Sequence, residues 1–508
     1  MKLVVVGLDG AHWELIKPWI DDGSLPNLKQ VIELGVWGDM QSCLPPVTFP
    51  NWKCYSTGKN PGKIGIFWWE NIDFGRCRIY HPFNRKFENR EIWDYIGETG
   101  RKVGVVGVPG TYPPKKVNGF MIAGGPDAEE YDFTYPMELE KEIKEKYGFK
   151  LRPCTPIDQN KEKAVKEIQD IIDIKFKIAK LLAKEYNVDF LQVTSFEINT
   201  MHHFLWNDDK TKDCWKIIDH HLGDFLEADD INLMLISDHG SNQIRTVFNI
   251  NTWLQKEGYL KTTVKGTGAS KLLHNLGITQ ELLSSALRKL KLSRLIGKVP
   301  KTFIHRIPTS SGEIKKVADM INWKESVALA SGQGPLYLKP SDPQKRKKLI
   351  AQLKIKLETL VDPYTGKKVI NKVYLREQVY SGKYLNEAPD LILDQAEGVH
   401  IPGGIGMKQF FSKTVRWKAE NKKWGLFAAY GPDIKRSKKP IKISILDLAP
   451  TILHIFRIPI PKDMDGRVLT EIFHEQSKLA KRKIRYQETT KRKKIKEKVE
   501  ELKKLGKV

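Results

Sequence analysis

The sequence predicts an α/β protein built on a mainly parallel sheet. Three observations carry that prediction. Short apolar runs without alternation recur along the chain and end in polar turns, as strands buried on both faces do. Helical stretches separate them, and strand–helix–strand repetition means parallel pairing with right-handed crossovers. Hydrophobic residues are 40% and charged residues 29% of 508, an ordinary globular balance in a chain long enough to bury a large core. Length alone allows two to four domains, or one large α/β domain with insertions.

Taken in order, residues 3–8 (LVVVGL) form the first strand, bounded by Asp9-Gly10, and a helical stretch runs on to near Gly35. Residues 102–108 (KVGVVGV) form a second strand, ending at Pro109-Gly110. An amphipathic helix spans about 161–186 and leads into a strand at 188–194. Another helix precedes the strand 231–237, which ends in Asp238-His239-Gly240. Residues 255–325 are basic and poor in aromatics, and read as an inserted helical cap. Strand-like chain resumes at 326–338, a helix with a basic start covers 345–360, and 388–393 and 425–430 read as further buried strands. A helix at 445–456 closes a core made of 1–254 and 326–473, and a basic helical tail takes 474–508.

The formal net charge is +24, and residues 475–508 hold 14 Lys/Arg against 5 Glu. Such a tail is either a solvated helix face or an arm for an anionic surface, lipid or nucleic acid. Its single aromatic, Tyr486, offers little base stacking. Five scattered cysteines without a CxxC read as reduced thiols, which fits a cytoplasmic protein. No apolar run approaches a membrane span, and the first apolar stretch is too short for a signal peptide. Oligomeric state is not legible.

Ligands of parallel sheets bind beyond the carboxyl ends of the strands. Asp9, Asn199 with His203, and Asp238 with His239 all fall there. Asp9 alone could cap a helix. An Asp-His pair after a second such strand suits a divalent metal, against the plainer reading of a turn Asp and a surface His. In Pro45-Pro46-Val47-Thr48-Phe49-Pro50-Asn51-Trp52, flanking prolines restrict the backbone around Thr48. A Thr held at a helix start either caps that helix or presents its hydroxyl, and a metal on the oxygen would favour the nucleophilic alkoxide. Asn199 and His203 are i and i+4 on a helix and face one way, a plausible ligand pair, whereas His202 points elsewhere.

These stretches, with Asn60-Pro61-Gly62, Pro109-Gly110-Thr111-Tyr112-Pro113, Ala388-Pro389-Asp390 and Asp447-Leu448-Ala449-Pro450, resemble the type I phosphodiesterase/nucleotide pyrophosphatase family of the alkaline phosphatase superfamily. The resemblance covers about residues 1–473. It implies an alkaline-phosphatase-like three-layer α/β/α fold with a mainly parallel central sheet and an inserted cap. It also implies a metal-dependent phosphohydrolase acting on a phosphorylated small molecule or nucleotide-like substrate. Family members hold two metals, usually zinc. The first set of ligands matches Asp9, Thr48, Asp238 and His239, with Thr48 as the nucleophile of a covalent phospho-threonine intermediate.

At the second set the sequence departs from the pattern. Asn199 stands where the family has Asp, His203 matches, and Asn421 stands where the family has His. Amides bring no charge, so magnesium or manganese suits this half better than zinc. Glu197 and His400 are the candidate replacements, against plainer readings as a surface Glu and a loop His. The alternatives to a hydrolase are a degenerate, single-metal or non-catalytic phosphoester binder, and a phosphomutase or phosphotransferase on the same scaffold.

Overall fold

The apolar runs lie side by side in one nine-stranded sheet. In chain order its strands are β1 (Leu3–Leu8), β2 (Val36–Gln41), β3 (Val103–Pro109), β4 (Gly119–Gly124), β5 (Thr134–Tyr135), β6 (Phe190–Ser195), β7 (Asn232–Ile236), β8 (Trp424–Tyr430) and β9 (Ile441–Ser444). Their spatial order is β9-β2-β8-β7-β1-β6-β3-β4-β5. Only β8 and β5 run antiparallel to their neighbours. This computed structural model describes residues 1–228, 230–263, 318–339, 342–414 and 416–488.

Two hydrophobic layers sandwich the sheet. Successive side chains of a strand alternate between faces. Val4, Val6 and Leu8 therefore enter one core, which the helices α1 (Trp13–Asp21), α2 (Pro26–Leu34), α4 (Lys161–Glu185) and α6 (Asp209–Leu226) cover. Leu3 and Val5 enter the other, under α3 (Thr48–Thr57) and α7 (Leu448–Ile455). The helix α5 (Glu197–Phe204) follows β6 directly. This is the expected three-layer, mainly parallel architecture.

Several expected elements shift. The stretch to Gly35 is two helices, because Asp22–Leu25 breaks the first. The run 326–338 is two strands, Ala328–Ala330 and Pro335–Leu338, split by a turn with Gln333 and Gly334 at φ 59° and 115°. With Ile370–Leu375 and Leu391–Gln395 they form a separate four-stranded antiparallel sheet. The core also reaches past residue 473. Leu479 is buried in it, and Tyr486–Gln487 pairs in parallel with Ile460–Pro461. Of the expected cap at 255–325, residues 264–317 lie outside the described residues, as do 489–508 of the expected tail. All five cysteines are free thiols. No helix among the described residues is long and apolar enough to cross a membrane.

Candidate active site

The parallel pairing of β1 with β7 sets Gly7 opposite Ile236, so Asp9 and Asp238 leave the sheet side by side. Thr48 arrives from the opposite layer as the first residue of α3, after an extended Val47. Asn51, one turn on, ties down the entry loop. Its Nδ2 donates to the carbonyls of Pro45 and Val47, each at 3.0 Å, and its Oδ1 accepts from the Cys43 N–H at 2.8 Å.

Four electron-rich atoms converge as a result. Thr48 Oγ1 lies 3.1 Å from His239 Nε2 and 3.5 Å from Asp9 Oδ1. His239 Nε2 lies 3.1 Å from Asp238 Oδ2 and 3.6 Å from Asp9 Oδ1. His239 Nδ1 donates to the Gly240 carbonyl at 3.0 Å, which leaves the Nε2 lone pair facing the cluster. Trp52 Nε1 donates to Asp9 Oδ2 at 2.8 Å, freeing Oδ1 for the Thr48 side. Gly7 makes that contact possible, since a Cβ there would lie 2.6 Å from the Trp52 ring. Asp238 Oδ1 accepts from the Gly10 N–H at 3.2 Å, while its buried Oδ2 has no hydrogen-bond partner.

The cluster is electrostatically frustrated without a cation. Asp9, Asp238 and His239 are fully buried. Burial pushes the Asp9 carboxyl up to about 8, against the Trp52 hydrogen bond that works to lower it. Burial, and then Asp9, push Asp238 well above the usual carboxylate range. Burial pulls His239 down to about 3. Each buried carboxylate without a counter-charge costs several kcal/mol. A divalent cation removes that cost, and these three residues are the one group of three such donors, within 4.8 Å of one another, among the described residues. Two carboxylates, an imidazole nitrogen and a hydroxyl fit such an ion.

Asn199, His203 and Asn421, the expected second half, bring no carboxylate. Asn199 lies against Gly10, whose φ of 68° carries the chain past it, and a Cβ on Gly10 would stand 2.3 Å from Asn199 Oδ1. Asn421 Nδ2 donates to the Pro46 carbonyl at 2.9 Å, two residues before Thr48. Both amide oxygens are buried and without partners. His203 Nδ1 donates to the Ala419 carbonyl at 2.8 Å, and its ring stacks on Trp417 with centroids 4.3 Å apart. One imidazole and two neutral amides do not fit zinc as the first set does.

Both candidate replacements are engaged by other partners. Both Glu197 oxygens accept from Lys175 Nζ at 2.7 Å in a buried ion pair. His400 Nδ1 is bound to Glu420, a fully buried carboxylate absent from the sequence reading. Glu420 Oε1 also accepts from the Asn421 N–H at 2.7 Å and from Gln333 Nε2 at 2.8 Å. Burial works to raise the Glu420 carboxyl, but His400, and then His203, outweigh it and hold it at about 2. Gln333 in turn accepts from Trp68 Nε1 at 3.1 Å, while Trp69 stacks on Phe49 beside Thr48. His202 points away and accepts from Trp215. No local pattern marks Glu420, since it sits in a lysine-rich stretch and its side-chain partners are 20 and 87 residues away. Trp52 carried a local signal, one helical turn after Thr48.

Residues 3–424 match the sequence model of the family described as Type I phosphodiesterase / nucleotide pyrophosphatase. Among solved structures, phosphonoacetate hydrolase from Sinorhizobium meliloti 1021, in complex with phosphonoformate, aligns with a TM-score of 0.55 at 13% identity over 88% of this chain and 93% of its own. Human ectonucleotide pyrophosphatase / phosphodiesterase 5 aligns at 0.52 and 15% identity, over 93% of this chain and 100% of its own. The murine protein of the same description gives 0.51 and 14%, over the same shares. By sequence, no curated protein matches the chain. At such identities the structures speak for the fold alone.

Proposed function

The chain belongs to the type I phosphodiesterase/nucleotide pyrophosphatase family of phosphoester hydrolases, and from that premise we propose that Thr48 is the nucleophile of a diester or pyrophosphate cleavage assisted by one divalent cation. The observation that carries this reading is the meeting of Thr48 Oγ1, Asp9, Asp238 and His239 at one buried point. Asp9, Asp238 and His239 would hold the cation, zinc being the best fit to a set containing an imidazole. When bound, it supplies Lewis acidity that favours the Thr48 alkoxide and offsets charge on the phosphoryl group.

The rest falls to the chain's own atoms. Thr48 Oγ1 loses its proton to solvent and attacks phosphorus, the bond to the leaving oxygen breaks, and that oxygen departs with its electron pair and takes up a proton from water. A water then attacks the phospho-threonine, frees phosphate or a monoester, and restores the hydroxyl. Asn51 and Trp52 fix the start of α3 and the free oxygen of Asp9, so that little reorganisation is needed during reaction. The net positive charge favours approach of anionic substrates.

Thr48→Ala tests the reading. Hydrolysis of a chromogenic diester in the presence of zinc, manganese or magnesium should fall by roughly 1,000-fold or more, the scale expected when a nucleophile is removed. Turnover near the parent rate would exclude the covalent route. One observation favours a second reading, a member that binds phosphoesters without turnover: the two amides Asn199 and Asn421 in place of charged ligands. Phosphoester binding by the cation-loaded parent protein with no hydrolysis of any diester or pyrophosphate would select it.

A further inference from the structure

A second electrostatic anomaly lies at the other edge of the sheet. β1 ends at the active site and begins beside Lys2, whose Nζ donates to the Ile455 carbonyl at 2.9 Å. Six residues of strand put roughly 20 Å between the two edges. There Arg457, Lys478, Lys481, Arg482, Lys483 and Arg485 line an open basin of about 530 Å³.

Nearby cations have partners: Arg467 pairs with Glu471, and Lys462 with Glu488. None of the six has a carboxylate within salt-bridge distance among the described residues. Lys481 Nζ donates to Gln476 Oε1 at 2.9 Å, and backbone holds two of the arginines. Arg482 Nη1 donates to the carbonyls of His454 at 2.6 Å and Ile455 at 3.4 Å, and Arg485 donates to the Arg457 carbonyl. These carbonyls belong to the end of α7 and the residues just beyond it. A helix C-terminus carries about half a negative charge. That positions two guanidiniums and leaves most of the positive charge uncompensated. Burial, and then Arg457, pull the Arg482 pKa down, and burial, and then Arg482, do the same to Lys2, in both cases against Asp433, a carboxylate beyond salt-bridge distance that works to raise them.

We propose that this basin is a second anion site, separate from the active site, for a ligand that presents two or more phosphate groups. A single phosphate dianion would leave most of the six charges unmatched. The basin falls within the size range of small-ligand sites, and Arg485, Arg457 and Arg482 bring planar donors suited to phosphate oxygens. The one large exposed aromatic in this segment is Tyr486, so stacking on nucleobases has little support. The required chemistry has two sources, the headgroups of an anionic lipid surface and a soluble polyphosphate. Residues 489–508 extend the same sign of charge, with 9 Lys/Arg against 3 Glu.

The test uses the full chain. Flotation with phosphatidylglycerol-containing and pure phosphatidylcholine vesicles, and calorimetric titration with tripolyphosphate, separate the two sources. At least one anionic probe should bind, more weakly as salt rises, and phosphatidylcholine should not. The triple variant Arg457→Gln/Lys481→Gln/Lys483→Gln should bind about 100-fold less tightly, at roughly fivefold per cation near a lipid surface. Its diester hydrolysis should match the parent. If it melts below the parent, Lys483→Glu alone should still weaken binding. Failure of every anionic probe to bind at low salt would overturn the proposal. So would unchanged binding in the folded variants, or tighter binding to duplex DNA than to vesicles and tripolyphosphate alike.

Discussion

On one side of Gly10 the chain gathers two carboxylates, an imidazole and the Thr48 hydroxyl; on the other it gathers two amides and an imidazole. Both halves hang from the same sheet and both are buried. They differ in charge, and the charged half is the candidate cation site. In the first half burial pushes both carboxyls up, Asp9 to about 8, whereas the amide oxygens of Asn199 and Asn421 in the second half, as partnerless as Asp238 Oδ2, carry no charge. In the second half Asn421 is already tied to Pro46, and the buried carboxylate next to it, Glu420, is spent on His400, Gln333 and a backbone N–H.

The comparison breaks most sharply at Asp238. Asp238→Asn replaces one of the two carboxylates of the charged half with an amide. Zinc affinity, read by calorimetry, should fall by more than the roughly 10- to 100-fold that loss of an outer hydrogen-bond partner costs a metal site. An unchanged affinity would remove Asp238 from the ligand set. The reverse exchange sharpens the comparison. Asn199→Asp combined with Asn421→His should raise bound zinc from one equivalent to two, measured by elemental analysis after dialysis. One equivalent in that variant would show that the second half is built from other residues.

The smallest effect is the pH dependence of cation stabilisation. A carboxyl raised to about 8 in the folded, metal-free state stabilises the fold fully below its unfolded value near 3.8 and loses that contribution as pH rises towards 8. Metal-free protein should therefore lose stability across that window from this group. Zinc, which needs the ionised carboxylate, should raise the melting temperature more at pH 8 than at pH 6. An increment that shrinks with rising pH would contradict the assignment of Asp9 as a buried ligand.

Much of this was legible in sequence because its signals are local. Unbroken apolar runs gave β1, β3, β6 and β7, and the acids and the Thr of the first half sit at strand ends or a proline-bracketed helix start. Asn199 and His203 were legible through helical spacing. β2 was hidden, because its burial alternates and its glycine and aspartate weaken the strand signal. The interactions that settle the second half are long-range: Lys175 reaches Glu197 from another helix, and Gln333 reaches Glu420 across 87 residues. A buried charge is defined by its partner, and no short window contains both.

The most direct measurement is acid-quenched single turnover of a radiolabelled diester by the zinc-loaded protein, followed by peptide mapping. One phosphoryl group should appear on the peptide that contains Thr48, and it should be absent when the cation is chelated. Label on any other residue, or full turnover with no labelled peptide, would contradict the account.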